Sequence, residues 1–333
     1  MQSLRMHERD RLCNVKLKGK FMSKIKVVVT GGAGFIGSHI VEHWLNENAE
    51  VHIIDNLRSG YLSNVNLFPE VIFHEGSITD RNLVFKVLTD ADYVHHLAAL
   101  VSVSESIEKP QECYEINVNG LINVLDASKE FGIKKIVLSS SAAIYGENPI
   151  SPKTIDLKPD PKSPYGTTKL EGEALLNHYN QNDGLGAISL RYFNVFGPRQ
   201  DPKSQYAAAV PIFVEKALKN EPIIIYGDGT QTRDFIFVKD VVKANILAAM
   251  NENVNGVFNV ATGKAISINE IAQIIIEELQ SKSKIIYGKE RAGDIKHSLA
   301  SIDGTERQLN FSPQYDLTEG LKETIKYFVE RMK

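Results

Sequence analysis

The stretch TGGAGFIG, residues 30–37, constrains this chain more than any other. The apolar, β-branched run KIKVVV comes directly before it, and a helical pattern, FIGSHIVEHWLNEN, begins inside it. Glycines at 31, 34 and 37 permit a tight strand-to-helix turn, and a missing Cβ lets a pyrophosphate approach the backbone. The first turn of the helix, with Phe35 and Ile36, offers free N–H groups and the positive end of the helix dipole. The next strand, EVHIID, ends at Asp55, 18 residues after Gly37. A carboxylate there accepts hydrogen bonds from the ribose hydroxyls of an adenosine and repels a 2′-phosphate, so the expected cofactor is NAD rather than NADP. A bare glycine pattern would be weak evidence. The flanking strand, helix and acid make it specific.

The same rhythm continues. VIFHE (71–75), YVHHLAA (93–99), KKIVLSSS (134–141) and AISLRYF (187–193) read as further strands, separated by helical stretches near 80–89, 111–131 and 165–182. Strands alternating with helices predict an α/β fold, a doubly wound parallel sheet of the Rossmann type. Past residue 195 the pattern changes to a Pro- and Gly-rich loop, then short strands mixed with helices near 207–219, 240–251, 268–281 and 317–331. This predicts a dinucleotide-binding unit over 23–195. A smaller mixed α/β substrate unit over 196–333 is interleaved with it. Residues 1–22 are polar and basic, lack the apolar centre of a signal peptide, and read as an extension ahead of a second start at Met22.

Composition narrows the partners. The formal net charge of −3 provides no global basic field for nucleic acid or an anionic membrane. No apolar run is long enough to span a bilayer. The two cysteines, Cys13 and Cys113, form neither a disulfide framework nor a metal-ligand cluster, which fits a reducing cytoplasm and no metal cofactor.

SPYGTTK, residues 163–169, sets Tyr165 four places before Lys169, on one face of a helix that Pro164 can start. Taken alone, such a pair is an ordinary solvated one. Ser141, at the carboxyl end of a parallel strand, lies where open α/β sheets place ligands. Together with the nucleotide turn, these residues predict catalysis.

The GxxGxxG spacing combined with Tyr-x-x-x-Lys resembles the short-chain dehydrogenase/reductase superfamily, and the chain length points to its extended branch of NAD-dependent sugar epimerases and dehydratases. HLAA (96–99), NVNG (117–120), SSSAAIYG (139–146) and RYFNVFGP (191–198) agree. The resemblance implies that Tyr165 is the catalytic base. Lys169 would bind the nicotinamide ribose and lower the phenol's pKa from its free value near ~10. Ser141 would hydrogen-bond the same substrate oxygen. It implies cofactor contacts from Asn56, Ser77, Ile78, Leu97, Ala98, Ala99 and Asn117. Three positions depart from the family pattern: Ser77 stands where relatives usually have an aspartate that touches adenine, Val101 where some have a lysine near the nicotinamide phosphate, and Ala143 where simple epimerases often have a threonine.

Within this branch the chain is similar to the 4-epimerases of UDP-hexoses. Dehydratases and decarboxylases carry acids after the serines, where this chain has Ala142 and Ala143. The resemblance assigns Asn194, Arg233 and Arg291 to a diphosphate, Asp294 to the uridine ribose, and Ala143 and Ser298 to the sugar pocket. Tyr226 is open between packing on uracil and plain core. A small residue at 298 implies acceptance of UDP-GlcNAc/UDP-GalNAc as well as UDP-Glc/UDP-Gal. Two alternatives stay open: a UDP-glucuronate 4-epimerase and a non-catalytic nucleotide-sensing module. The resemblance also implies a homodimer joined through a four-helix bundle from the helices near 111–131 and 165–182.

Overall fold

β1 (Lys26–Thr30) turns Val27 and Val29 to one face and Val28 to the other, and all three are fully buried. A strand buried on both faces must lie inside a sheet covered on both sides. That is its place in the computed structural model, which describes residues 24–202, 208–290 and 296–332.

The remaining strands are β2 (Glu50–Asp55), β3 (Ile72–Glu75), β4 (Tyr93–His96), β5 (Lys135–Ser141), β6 (Ala187–Tyr192), β7 (Asn194–Phe196), β8 (Ile223–Tyr226), β9 (Thr232–Phe237), β10 (Gly256–Val260), β11 (Ala265–Ser267) and β12 (Ile285–Gly288). Seven form one sheet in the order β10-β6-β5-β4-β1-β2-β3, and each neighbouring pair is parallel. The expected α/β doubly wound architecture is therefore observed. The strand order reverses at β1, which opens a crevice at the carboxyl ends of β1 and its neighbours.

Helices Phe35–Asn46 and Val238–Met250 pack on one face through Ile40, Val41, Trp44, Val241 and Ala248. Helices Arg81–Leu88, Gly120–Glu130 and Pro164–Asp183 cover the other through Val84, Leu88, Leu121, Leu125 and Leu176. Residues 238–260, although late in the chain, thus complete the layers of the large sheet. The other late elements form two small sheets, β11-β9-β7 and β12-β8, around a separate core that includes Phe196, Phe213, Phe237, Ile271 and Phe328.

The helix expected over 111–131 is interrupted. Pro110–Tyr114 and Gly120–Glu130 are joined by a wide π turn, Glu115–Asn119, which holds the buried Asn117. Such turns are frequent at functional sites. β7 and β11 and the short helices Leu62–Val65, Val103–Glu108 and Asp303–Leu309 lie where the sequence pattern had marked no element. Among the described residues, no helix is long and apolar enough to cross a membrane.

Candidate active site

At the carboxyl end of β1 the backbone alone shapes the cofactor cradle. Gly31 has φ +73°, and a Cβ on it would stand 2.7 Å from the Ala98 nitrogen. A Cβ on Gly37 would lie 2.2 Å from the Gly31 carbonyl oxygen. Gly34 caps the helix Phe35–Asn46 without a side-chain partner, so the first-turn N–H groups face outward for an anion. Asp55, at the end of β2, is buried. Its Oδ2 accepts the Ala33 N–H at 3.0 Å and its Oδ1 accepts the Leu57 N–H at 2.8 Å. Burial raises its pKa and these two bonds oppose the rise. The cradle, the free helix end and the acid fit a dinucleotide with an unphosphorylated ribose.

The other positions expected to meet the cofactor follow β2, β3 and β4 or, at Asn117, brace the loop after β4, with uneven freedom. Leu97 and Ala98 donate to the Thr30 carbonyl and hydroxyl, at 3.0 and 3.3 Å, which fixes the segment through Ala99 beside Gly31. Asn117 accepts the Leu100 N–H at 2.7 Å and donates to its carbonyl at 3.1 Å, so it braces that loop. Asn56 is exposed and caps the Arg58 N–H. The Ser77 hydroxyl bonds Thr79, and the Ile78 carbonyl takes the Asn123 amide at 3.0 Å.

β5 ends against the helix Pro164–Asp183. Ser163 caps this helix by accepting the Gly166 N–H, Pro164 opens it, and Gly184 closes it in the left-handed conformation. Tyr165, Lys169 and Ser141 are brought together there. The Ser141 hydroxyl accepts the Ala143 N–H at 3.1 Å and faces the Tyr165 phenol. Lys169 is 6% exposed; its Nζ donates to the Ser139 carbonyl at 2.7 Å and lies 5.8 Å from the centre of the Tyr165 ring. Burial lowers the Lys169 pKa to about 8, opposed by Cys113 and Glu173. The expected depression of the phenol is not produced by the chain itself. Burial raises the Tyr165 pKa, and only the Ser141 hydroxyl opposes it.

Asn194, Arg233 and Tyr226, expected on the substrate side, lie on the small sheets. Asn194 opens β7 opposite Phe235 of β9 and is exposed. Arg233, on β9, donates to the Thr232 carbonyl at 2.9 Å. Ser298 joins the neighbouring segment, its N–H donating to the Thr232 carbonyl at 3.1 Å. Arg233 and Ser298 are thus adjacent. Tyr226, 40% exposed, lines a cavity of about 180 Å³ with Asp228, Gln231, Glu290 and Lys296, so it is not core. No residue of the Tyr165 group lines this cavity. Arg291, Asp294 and the extension 1–22 lie outside the described residues.

Sequence reasoning passed over a buried polar group behind the site: Ser140, Tyr145, Glu173, Arg191 and Asn259. Arg191 grips Glu173 with Nε to Oε1 at 2.9 Å and Nη2 to Oε2 at 2.7 Å. The signal was present in two places. Glu173 is the third residue in the series Tyr165, Lys169, Glu173 at one-turn spacing, and Arg191 is the one charged residue of a fully buried strand.

Residues 27–261 match the NAD dependent epimerase/dehydratase family. Several solved structures are similar over nearly the whole chain. One is a UDP-N-acetylglucosamine 4-epimerase from Methanobrevibacter ruminantium in complex with UDP-N-acetylmuramic acid, 45% identical, TM-score 0.89, covering 93% of this chain and 100% of that one. A UDP-glucose 4-epimerase from Thermotoga maritima with UDP-glucose is 38% identical, TM-score 0.89, with coverage of 93% and 100%. A UDP-glucose 4-epimerase from Thermus thermophilus in complex with NAD is 36% identical, TM-score 0.84, with coverage of 92% and 99%.

Proposed function

The chain belongs to the NAD dependent epimerase/dehydratase family, and from that premise we propose that it inverts C4 of UDP-hexoses through a transient 4-keto sugar. The observation that carries this reading is the meeting of Ser141, Tyr165 and Lys169 beside the glycine cradle, with only Ala142 and Ala143 where an extra acid or base would stand.

NAD, when bound, supplies an acceptor for hydride that later gives it back. Tyr165 takes the proton of the sugar 4-hydroxyl and returns it after the ring has turned. Ser141 already accepts the Ala143 N–H, which leaves its own proton to donate to the same sugar oxygen. Lys169 spends one N–H on the Ser139 carbonyl and keeps two for the nicotinamide ribose. Because burial raises the phenol, Tyr165 depends on the cation of the oxidised cofactor to become a useful base.

A sugar that turns needs a fixed nucleotide. Asn194, Arg233 and Arg291 hold the diphosphate in this reading, Tyr226 packs on uracil and Asp294 meets the ribose. Ser298, half-buried beside Arg233, leaves room for an N-acetyl group, so N-acetylated and plain hexoses are both substrates. The reading includes the division at residue 195, with 238–260 returning to the cofactor unit. It also includes a homodimer through the helices of 110–130 and 164–183. The 44%-exposed Tyr114, bonded to Glu171 at 2.7 Å, lies on that surface. A monomer by sedimentation would remove the dimer alone.

The function is tested by offering UDP-Glc, UDP-GlcNAc and UDP-GlcA separately, without added NAD, and identifying products by NMR. The C4 epimers of the first two are expected. Conversion of UDP-GlcA alone would move the assignment to the hexuronate, and no conversion by NAD-loaded protein would leave a sensing module.

A further inference from the structure

Three consecutive serines close β5, and each engages one member of a series on the helix Pro164–Asp183. The Ser141 hydroxyl faces Tyr165, the Ser139 carbonyl takes the Lys169 ammonium at 2.7 Å, and Ser140 Oγ donates to Glu173 Oε1 at 2.5 Å. Residues four apart share a helix face and are separated by roughly 6 Å along the axis. The helix is therefore registered on the strand at three successive points.

Glu173 is the strongest of these points. Both its oxygens are taken by the Arg191 fork, both side chains are 5% exposed, and Arg191 stands opposite Ser140 in the β5–β6 ladder. Arg191 Nη1 donates to the Tyr145 hydroxyl at 2.9 Å, which donates to Asn259 Oδ1 at 2.6 Å. The Asn259 amide donates to the Lys153 and Ser301 carbonyls, at 2.9 and 3.1 Å. Lys153 in turn donates its N–H to the Leu299 carbonyl at 2.7 Å, one residue after Ser298.

We propose that Glu173 and Arg191 are positioning residues for the C4 reaction: they fix the axial register of Tyr165 and Lys169 on β5 and join it, through Tyr145 and Asn259, to the segment that carries Ser298. This rests on the function proposed above. A buried ion pair is a poor source of net stability, because desolvation offsets the attraction. A bidentate fork is a good source of geometry.

The pair also sets the charge behind the site. The titratable groups facing Tyr165 and Lys169 are Cys113 from the helix Pro110–Tyr114, His96 at the end of β4, and Glu173, which Arg191 covers. Burial lowers His96 to about 3 and raises the Cys113 thiol, so both are uncharged near neutral pH. Glu173 and Arg191 are the charged members, and they cancel. Removing either one leaves its partner unbalanced behind Lys169.

The test compares kcat–pH profiles of holoenzyme carrying Glu173→Gln, Arg191→Met or both. The acid limb reports the base, Tyr165. An unbalanced guanidinium in Glu173→Gln moves the limb down; an unbalanced carboxylate in Arg191→Met moves it up, each by about one pH unit. The double variant returns toward wild type. Each single variant loses ~10²-fold in kcat, as expected for reacting groups displaced by about 1 Å, while KM stays close to wild type. Arg191→Lys restores the limb and part of kcat. Phenolate absorbance of each variant, read against its Tyr165→Phe counterpart, gives the same shifts without turnover. A wild type inactive on every UDP-sugar would thus count against the C4 reading and leave this test standing. If a single variant does not fold, Arg191→Lys and the double variant carry the comparison. Unmoved limbs and unmoved phenolate titrations, or shifts of one sign in both single variants, would reduce the pair to scaffold and overturn the proposal.

Discussion

The two ends of the active-site crevice are built by different means. At the cofactor end the surface proposed for the pyrophosphate is backbone: Gly31 and Gly37 leave no room for a Cβ, and the helix behind them begins without a side-chain cap. At the substrate end the proposed contacts are side chains, Arg233, Tyr226 and Ser298, held on two small sheets and a bridging segment. A site made of backbone tolerates no addition. A site made of side chains can change what it accepts while its fold stays the same. The first kind should fail completely when touched, the second by degrees.

The largest effect is expected from Gly37→Ala. The added Cβ would stand 2.2 Å from the Gly31 carbonyl and 2.9 Å from the Gly32 Cα, and backbone at that distance cannot step aside as a flexible side chain does. The variant should purify without NAD and show no turnover, while calorimetry still detects UDP. Retained NAD would break the contrast at its stronger end. Next is Tyr165→Phe, which removes the proposed base and leaves the cradle intact. It should keep its NAD and lose ~10²–10⁴-fold in kcat, the usual worth of a positioned acid–base group. A folded variant with full turnover would remove Tyr165 from the mechanism.

This contrast also explains what could be read in the sequence. The glycine turn, Asp55 and the Tyr165–Lys169 pair are local patterns whose spacing maps directly onto one turn, one strand end or one helix face, and each was legible. The parallel sheet followed from strands alternating with helices. The Glu173–Arg191 fork was not legible, because its members are 18 residues apart and meet only when β6 lies beside β5. β10 was readable as a strand but not as the seventh member of the large sheet, since nothing local says which edge a strand will join. The raised phenol of Tyr165 is likewise a property of enclosure, and the family resemblance implied the opposite direction.

A smaller effect is expected where the two ends meet. His39, on the helix that follows the glycine cradle, is hydrogen-bonded through Nε2 to the Pro198 carbonyl at 2.9 Å, at the start of the loop that leads into the substrate unit. Burial lowers its pKa to about 4, with the Arg199 charge acting in the same direction. A histidine depressed in the folded state binds its proton more tightly when unfolded. Its contribution is therefore present above about pH 6.5 and is lost as pH falls toward about 4. For this shift the loss is about 3 kcal/mol in all. Urea unfolding of the protein should show a midpoint that drops through this window. In His39→Gln, which keeps a donor for Pro198 without titrating, the drop should be shallower. An equal slope in both proteins would assign the acid sensitivity elsewhere, His95 and His96 being, among the described residues, the other deeply buried histidines with lowered pKa.

The smallest and most selective effect belongs to Ser298→Tyr. The residue enters the fold through its backbone: its N–H donates to Thr232, and the next carbonyl accepts from Lys153. None of these bonds involves the hydroxyl, so a larger side chain changes volume beside Arg233 and leaves the ladder in place. If that volume borders the C2 substituent of the sugar, kcat/KM for UDP-GlcNAc should fall about 10-fold or more, the scale on which a pocket rejects an oversized group. UDP-Glc should be nearly unaffected, and the bound NAD should not change. Equal losses on both sugars would place the new ring against the diphosphate instead. That result would leave the substrate end as intolerant of change as the cofactor end, and the distinction between them would fail.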